Sequence, residues 1–370
     1  MMAPTIFSTV NEKLGICDDL TVQKNKNLIF IYSPPKVGST TLVTSIRLYA
    51  PNMFTVLHIH DEKSLKIICG LENITVNNII QYNRSLGKNV WVIDIYRSPI
   101  EQKISDFFEG ICIHHFNTTP ENIVTYDIQK IVNRFNNLFP HLSTGDHYRD
   151  KYNLQSELIP ESYDFNTHKY LSITSTDGTK YIKLRLKDSG QWGQILSTIL
   201  GKNINIVSDY ETANKPVINE LFKKFKETYK IPENLLNLIK NCPKLNYYYS
   251  DQERNAYLDT WSTKMTPNIH EPYSDSEYTL YTTITRENQH INEIQRAHYI
   301  YDGCNCKACL IKRSRMIQNG GKIEKFNHTE ANVEHLANKI RTVNKLNAFL
   351  QQQQQNRRIQ KKTGIIRLKL

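Results

Sequence analysis

The sequence predicts an α/β fold of three layers, with helices on both sides of a central, mainly parallel β-sheet. Two apolar runs, at 28–32 and 90–96, are each followed by a short polar turn and then by a helical pattern. A third apolar run, at 54–59, lies between these two in the sequence and is predicted to be the second strand along the chain. Short apolar runs bounded by turns are typical of strands buried on both faces, as the strands of parallel sheets are.

The turn after the first strand has the composition of a phosphate-binding turn. Residues 35–41 read Pro-Lys-Val-Gly-Ser-Thr-Thr and lead directly into the helix. The backbone N–H groups of 37–41 would point at a ligand, and the N-terminus of a helix favours negative charge. Lys36 precedes Gly38, whereas in the common nucleoside-triphosphate loop the lysine follows the glycine. This order resembles the 5′-phosphosulfate loop of sulfotransferases, whose donor is 3′-phosphoadenosine 5′-phosphosulfate (PAPS). An ordinary loop is the alternative interpretation.

The end of the strand at 90–96 supplies a second pair of candidate ligands. A helix start follows, with an N-cap, an N1 proline and a capping-box acid at Ser98, Pro99 and Glu101. Arg97 therefore lies at the carboxyl end of the strand, where open α/β sheets bind ligands, and Ser105 lies about two turns into the helix. In sulfotransferases an arginine and a serine at this spacing hold the 3′-phosphate of the donor. A surface arginine and a helical serine without that role are the alternative.

Together the motifs, their order and their strand contexts resemble PAPS-dependent sulfotransferases of the carbohydrate and capsular-polysaccharide type. The resemblance includes a closing segment at 245–261, covers about two-thirds of the chain and is loose over 117–175. It implies a P-loop-type three-layer fold and sulfuryl transfer from PAPS to a hydroxyl or amine of a glycan acceptor. Lys36 would neutralise the bridging oxygen and the leaving phosphate, and this scheme requires no metal. The implied donor ligands in the turn are Lys36, Val37, Gly38, Ser39, Thr40 and Thr41.

An acceptor hydroxyl also needs a general base. Sulfotransferases that act on glycans often place their base, a Glu or His, at a similar number of residues after the phosphate loop. In this chain that position is the end of the second strand. His58 and His60 share one face of that strand by alternation, and His60, nearer the carboxyl end, is the first choice. Glu62 is the second choice, and the pair at 114–115 is a weaker rival. A hydrogen-bonded histidine pair packed at a strand edge is the alternative interpretation.

A basic alternation at 181–187 is predicted to form another strand. It places Lys183, Arg185 and Lys187 on one face and apolar residues on the other. Beside the donor site, this face could bind nucleotide phosphates or an anionic glycan, and Arg185 is the candidate ligand. The alternative is a solvated face of an edge strand, where lysine also discourages aggregation.

The chain is predicted to divide into a catalytic domain at 1–262, a linker at 263–280, a small helical region at 281–345 and a disordered tail at 346–370. The tail holds a glutamine run and six of the basic residues behind the formal charge of +11. It could bind nucleic acid or another anionic polymer, or be simply solvated. No signal-peptide pattern and no apolar run of about 18 residues is present, so a cytoplasmic location without a membrane span is expected.

The region before the tail contains a possible zinc site. Three cysteines, Cys304, Cys306 and Cys309, lie close together, with His298 upstream. Three thiolates and one imidazole can bind Zn²⁺ tetrahedrally, although the paired C-x2-C knuckles of standard fingers are missing. A cysteine-rich turn without metal is the alternative.

Two functions from different classes follow from the sequence. The first is a PAPS-dependent sulfotransferase acting on a carbohydrate, favoured because Lys36, Arg97 and Ser105 are all present. The second is a non-catalytic protein, in which a sulfotransferase-like domain serves a zinc-binding and basic C-terminal module that contacts nucleic acid or protein. A kinase is a weaker third alternative, since the order of the loop residues and the lack of a magnesium-binding carboxylate count against it.

Overall fold

The fold is built around a mixed sheet of five strands in the order β2-β1-β3-β5-β4. The computed structural model describes residues 4–116, 120–143, 145–147, 159–207, 217–279 and 281. Strands β1, β2, β3 and β5 are parallel, and β4 pairs antiparallel with β5. The strands are β1 Asn27–Tyr32, β2 Thr55–Ile59, β3 Asn89–Tyr96, β4 Tyr170–Thr174 and β5 Lys180–Arg185. The expectation of an α/β fold with a mainly parallel sheet is therefore confirmed.

Helices precede, connect and follow the strands. They are α1 Pro4–Lys13, α2 Gln23–Lys26, α3 Ser39–Tyr49, α4 Glu62–Cys69, α5 Val76–Ser85, α6 Pro99–Glu109, α7 Pro120–Ile123, α8 Ile128–Leu138, α9 Phe165–His168, α10 Trp192–Leu200, α11 Ile218–Thr228, α12 Glu233–Lys240, α13 Pro243–Tyr248 and α14 Asp251–Ser262. A π-helix at Ile111–Phe116 follows α6, and 3₁₀ turns lie at Phe139–His141 and Leu186–Gln191. The short strands β6 Ile231–Pro232 and β7 Met265–Thr266 form a separate pair.

Alternate residues of each strand pack on opposite faces of the sheet. All six residues of β1 are buried, which explains why the run looks apolar rather than alternating. Ile29 and Ile31 pack with apolar residues of α3 and α10. Leu28 and Phe30 pack in a larger core that includes residues of α1, α4, α5, α6, α8 and α11. The sheet is thus the middle of three layers.

The strand order creates a crevice at the carboxyl ends of β1 and β3. From β1 the chain passes through α3 to β2 on one side, and then returns through α4 and α5 to β3 on the other side. Helix α3 packs on one face of the sheet and α6 on the opposite face. The loops that leave β1 and β3 therefore diverge, and open α/β sheets bind ligands at such a point.

Helix α6 begins where the sequence predicts, but the predicted capping contacts have other partners. The Ser98 side chain makes no N-cap hydrogen bond and lies 2.9 Å from the Tyr249 hydroxyl. Glu101 accepts hydrogen bonds from the Tyr257 hydroxyl at 2.9 Å and from Trp261 Nε1 at 3.1 Å. The proline at N1 and the acid in the first turn still favour the helix start. The hydrogen bonds of Glu101 to Tyr257 and Trp261 connect α6 to α14.

The segment predicted as a linker at 263–280 includes residues that pack on the domain. Strand β7 pairs with β6, and the Tyr273 N–H donates to the Asn137 carbonyl at 2.8 Å. The Tyr281 hydroxyl lies 2.8 Å from His115 Nδ1 on the π-helix. The part of the segment that the structure describes is therefore a docked strap rather than a free connection.

Among the described residues, no helix is long and apolar enough to cross a membrane.

Candidate functional site

The turn between β1 and α3 has an uncommon backbone conformation. Lys36 has φ 65° and Gly38, the N-cap of α3, has φ 87°, both in the left-handed region. A Cβ on Gly38 would lie 2.8 Å from Leu186 Cδ1 and 3.2 Å from the Trp192 ring. Glycine is therefore required here on two grounds, backbone conformation and close packing. The turn brings the N–H groups at the start of α3 to the crevice.

Groups that follow β3 hold this turn in place. Arg97 Nη1 donates to the Lys36 carbonyl at 2.7 Å, and Gln102 Nε2 donates to the Pro35 carbonyl at 2.9 Å. Burial lowers the pKa of Arg97 from its usual value, while nearby Glu101 acts in the opposite direction. A guanidinium nevertheless stays protonated, so it places a positive charge against the turn. The structure thus joins two motifs that are 61 residues apart in sequence.

The other predicted donor ligands lie around the same crevice. Ser39 is buried in the first turn of α3, and Thr40 and Thr41 beside it are half-buried. Ser105 is buried on α6, with a relative exposure of 7%. The serine and the arginine therefore lie on the helix and strand end that flank the turn, as their spacing predicts.

The Lys36 side chain meets a carboxylate that the sequence did not single out. Lys36 Nζ lies 3.1 Å from Glu109 Oε2, at the end of α6. Asp106, one turn earlier on α6, accepts a hydrogen bond from the Ser143 N–H at 2.9 Å. Burial raises the pKa of Asp106 above its usual value, although that hydrogen bond and the lysines oppose the shift. The sequence does contain a signal for Glu109. Its spacing from Ser105 and Asp106 places it on the same face of the helix as those residues.

The two candidate histidines on β2 lie next to one another, with ring centroids 4.6 Å apart. His60 Nδ1 is 2.8 Å from the Ser33 carbonyl, which can only accept a hydrogen bond. Nδ1 therefore carries the proton in the neutral ring, and Nε2 is the basic nitrogen. His60 is 9% exposed, and its own carbonyl accepts from His147 Nε2 at 2.6 Å. The two rings are packed together, and the Nδ1 of His60 is hydrogen-bonded in a tautomer that suits a general base.

The remaining candidate bases have structural contacts. Glu62 Oε1 accepts from the Val76 N–H at 3.2 Å, at the first residue of α5. His115 stacks on Phe107 with centroids 4.8 Å apart, and burial lowers its pKa well below the usual value. Glu62 is thus engaged in capping a helix, and His115 packs in the aromatic core behind α6.

Arg185 does not face the donor crevice as a phosphate ligand. All of its guanidinium nitrogens donate to protein groups, and arginine has five N–H donors in total. Nε binds Asp188, Nη1 binds the Tyr248 carbonyl and Glu253, and Nη2 binds the Phe165 carbonyl and Glu253. Its relative exposure is 1%. Asp188, three residues along the chain, and Glu253 therefore neutralise Arg185, and these contacts do not favour its assignment to the donor.

Lys183, two residues before Arg185 on β5, lies in a buried ionic cluster. Its Nζ is 2.6 Å from Asp94 Oδ2 and 2.8 Å from Asp146 Oδ1, and all three side chains are fully buried. The Tyr248 hydroxyl donates to Asp146 Oδ2 at 2.5 Å. Lys187 pairs with Glu253. The basic alternation is therefore neither a binding face nor a solvated edge, since β5 lies between β3 and β4.

A short segment at 145–147 packs beside the carboxyl ends of β1 and β2. Gly145 fits against Pro34, where a Cβ would lie 3.0 Å from the proline Cγ. Asp146 binds Lys183, and the His147 ring lies 4.5 Å from the Tyr32 ring. This Gly-Asp-His segment links the turn, the exit of β2 and the centre of the sheet. No periodicity marks it in the sequence, so only the three-dimensional arrangement identifies it.

The predicted zinc ligands His298, Cys304, Cys306 and Cys309 lie outside the described residues, as does the basic tail. Within the part of the chain that the structure describes, no group of three or more His, Cys, Asp or Glu side chains could hold a metal ion. The zinc site thus stays a prediction.

Comparison with known proteins identifies no relative. No protein family, curated protein or solved structure matches the chain. The interpretation of the site therefore depends on its geometry and on the sequence motifs.

Proposed function

We propose that the chain is a sulfotransferase that moves a sulfuryl group from PAPS to a hydroxyl or amine of a carbohydrate. The observation that carries the proposal is the contact between Arg97 and the Lys36 carbonyl at the carboxyl ends of β3 and β1. It unites a phosphate-type turn with a second anion-binding candidate in one crevice. A donor with phosphates at both the 5′ and 3′ positions needs two such groups of ligands.

In this proposal the turn binds the 5′-phosphosulfate. The N–H groups of 37–41 and the hydroxyls of Ser39 and Thr40 hold the phosphate at the N-terminus of α3, where the helix dipole favours an anion. Lys36 neutralises the charge that develops on the bridging oxygen as the sulfur–oxygen bond to the phosphate breaks. Catalysis of this kind depends mainly on positioning and charge neutralisation.

The 3′-phosphate is assigned to Arg97 and Ser105. The guanidinium carries donors beyond the one that binds the Lys36 carbonyl, and a second, charge-assisted contact to phosphate is compatible with that bond. Ser105 adds a hydroxyl about two turns into α6, the helix that begins just after Arg97. Arg97 thereby couples the two ends of the donor, since it supports the turn and binds the opposite phosphate.

The acceptor loses a proton as its oxygen or nitrogen attacks the sulfur, and His60 is the first candidate to take it. Its Nε2 is the basic nitrogen in the tautomer that the Ser33 carbonyl selects. A glycan is the proposed acceptor because the sequence motifs resemble glycan and capsule enzymes. His147 Nε2 donates to the His60 carbonyl at 2.6 Å, so the segment at 145–147 lies beside this candidate base.

Calorimetric titration with adenosine 3′,5′-bisphosphate tests the proposal, with AMP and ATP as control ligands. We expect the wild type to bind the bisphosphate more tightly than AMP, because only the bisphosphate carries the 3′-phosphate. Arg97→Ala should weaken bisphosphate binding about 100-fold, since it removes a charged, half-buried donor that also supports the turn. Lys36→Ala should weaken it about 10-fold, since a half-buried lysine contributes one charge-assisted contact.

The control for these variants is Lys180→Ala, because Lys180 is an exposed cation on β5. It should bind like the wild type, with an unchanged unfolding midpoint. A folded wild type that does not bind the bisphosphate would exclude the PAPS site. That outcome would favour the non-catalytic alternative and direct work to the cysteines and the basic tail.

A further inference from the structure

The ion pair between Lys36 and Glu109 lies at the entrance of the proposed phosphate site. Lys36 Nζ and Glu109 Oε2 are 3.1 Å apart, and their side chains are 15% and 32% exposed. The carboxylate belongs to the last residue of α6, on the side of the crevice opposite α3. The lysine proposed to meet the ligand is therefore paired with an acidic side chain.

Helix α6 does not favour a carboxylate at this position. Glu109 is at the carboxyl end, where the helix dipole is negative, and the last turn contains no basic residue. Asp106 lies one turn earlier and adds a second acid. An acidic side chain placed there is electrostatically unfavourable for its own helix. Lys36, from another part of the fold, offsets that effect.

The turn does not depend on the ion pair for its backbone conformation. Arg97 and Gln102 bind the carbonyls of Lys36 and Pro35 at 2.7 and 2.9 Å, and the N-cap glycine fixes the start of α3. These contacts are independent of the Lys36 side chain. Removal of the Glu109 charge should therefore change the electrostatics of the site and leave the turn in place.

We propose that Glu109 is a specificity-determining residue of the phosphate turn, which an anionic 5′ group must displace from Lys36 in order to bind. The inference rests on the proposed function and identifies a side chain of the same site that competes with its ligand. A 5′-phosphate or phosphosulfate carries enough charge to compete for the ammonium, whereas a neutral 5′-hydroxyl does not. Glu109 thereby weakens the binding of nucleosides that carry a 5′ anion and does not affect those that carry only the 3′-phosphate, because the latter leave Lys36 paired with Glu109.

The test compares two ligands that differ only at the 5′ position. Adenosine 3′,5′-bisphosphate and adenosine 3′-monophosphate are titrated calorimetrically into the wild type, Glu109→Gln and Glu227→Gln. Glu227 is the matched control, since it is an exposed carboxylate near the end of α11. We expect Glu109→Gln to bind the bisphosphate about three- to tenfold more tightly, through loss of both the competing pair and like-charge repulsion. Binding of the 3′-monophosphate should stay within about twofold, and Glu227→Gln should match the wild type.

Each outcome decides between the inference and the proposed function. If the wild type binds the bisphosphate and Glu109→Gln binds it equally well, the inference is overturned and the proposed function survives. An equal gain for both ligands also overturns it, because the effect would then be a general one of charge. If only Glu109→Gln binds the bisphosphate, the wild type fails the test of the proposed function, and the inference that rests on it is overturned as well. If neither protein binds while both are folded, the inference and the proposed function fail together.

Discussion

Replacement of Lys183 by methionine is expected to destabilise the protein by about 3–5 kcal/mol, the usual result of breaking a buried ion pair from one side. Lys183 lies between Asp94 and Asp146, and the substitution leaves two buried carboxylates without their cation. Urea unfolding followed by circular dichroism measures the loss. Lys180→Met on the same strand is the control, because that lysine is exposed and should cost less than about 1 kcal/mol.

The pH dependence of this effect follows from the shifted groups. Burial opposes ionisation of Asp146, but Lys183, the Tyr248 hydroxyl and Lys244 together outweigh burial and lower the carboxyl pKa below 3.8. Burial likewise opposes protonation of Lys183, but Asp146 and Asp94 outweigh it and raise the pKa of the ammonium above 10.5. The Asp146 contribution is therefore full above pH 3.8 and is lost as pH falls through the lowered pKa. The Lys183 contribution is full below pH 10.5 and is lost as pH rises through the raised pKa.

The difference between wild type and Lys183→Met should consequently be largest near neutral pH and shrink in acid. If Lys183→Met does not fold, Tyr248→Phe replaces it, since that change removes only the hydroxyl bound to Asp146. We expect Tyr248→Phe to cost about 1–3 kcal/mol, because the carboxylate loses one buried donor. Stabilities of Lys183→Met and Lys180→Met that agree at pH 7 would contradict the buried cluster.

Gly38→Ala is expected to weaken bisphosphate binding at least about tenfold and to lower stability by about 1–3 kcal/mol. The residue has φ 87°, a conformation that costs an L-residue about 1–2 kcal/mol. The new Cβ would also come within 2.8 Å of Leu186 and 3.2 Å of the buried Trp192 ring. Leu186 can move its side-chain end, whereas the ring is enclosed, so we expect the turn itself to shift. Calorimetric titration and thermal unfolding measure the two effects.

Gly190→Ala is the matched control for this substitution. Gly190 lies in the 3₁₀ turn after β5, its φ is not in the left-handed region, and no atom lies within 4 Å of its ideal Cβ. It should bind the bisphosphate like the wild type and unfold at nearly the same temperature. Equal binding by Gly38→Ala and Gly190→Ala would show that the conformation of the turn does not matter for the ligand.

Local patterns predicted the parts of the fold that local interactions determine. The strands at β1 and β3 and the start of α3 follow from apolar runs and turn residues. The capping box of α14 is a local pattern of the same kind, with Ser250 accepting from the Glu253 N–H at 3.2 Å and Glu253 accepting from the Ser250 N–H at 3.1 Å. Such signals lie within a few residues of one another, so a sequence displays them directly.

Long-range pairing decided what the sequence did not display. From the sequence, the basic residues of β5 were interpreted as solvated or as phosphate ligands. Their carboxylate partners could not be recognised, because they lie 89 residues from Lys183 and 68 residues from Arg185. The alternation correctly predicted a strand. The net charge of its basic face, however, depends on which carboxylates the fold packs against it. The contact of Glu109 with Lys36 was missed for the same reason, since it requires α6 to pass beside the turn.

The docked strap has a practical consequence for the design of protein fragments. Truncation at 262 would remove the backbone donor of Tyr273 from Asn137 and uncover the ring of His141, which stacks on Tyr278 at 4.2 Å. Newly uncovered rings and carbonyls favour association between molecules during purification. A fragment that continues to 281 keeps these contacts. A tag or fluorophore fused after that point would start beside His115, one short π-helix away from the end of α6.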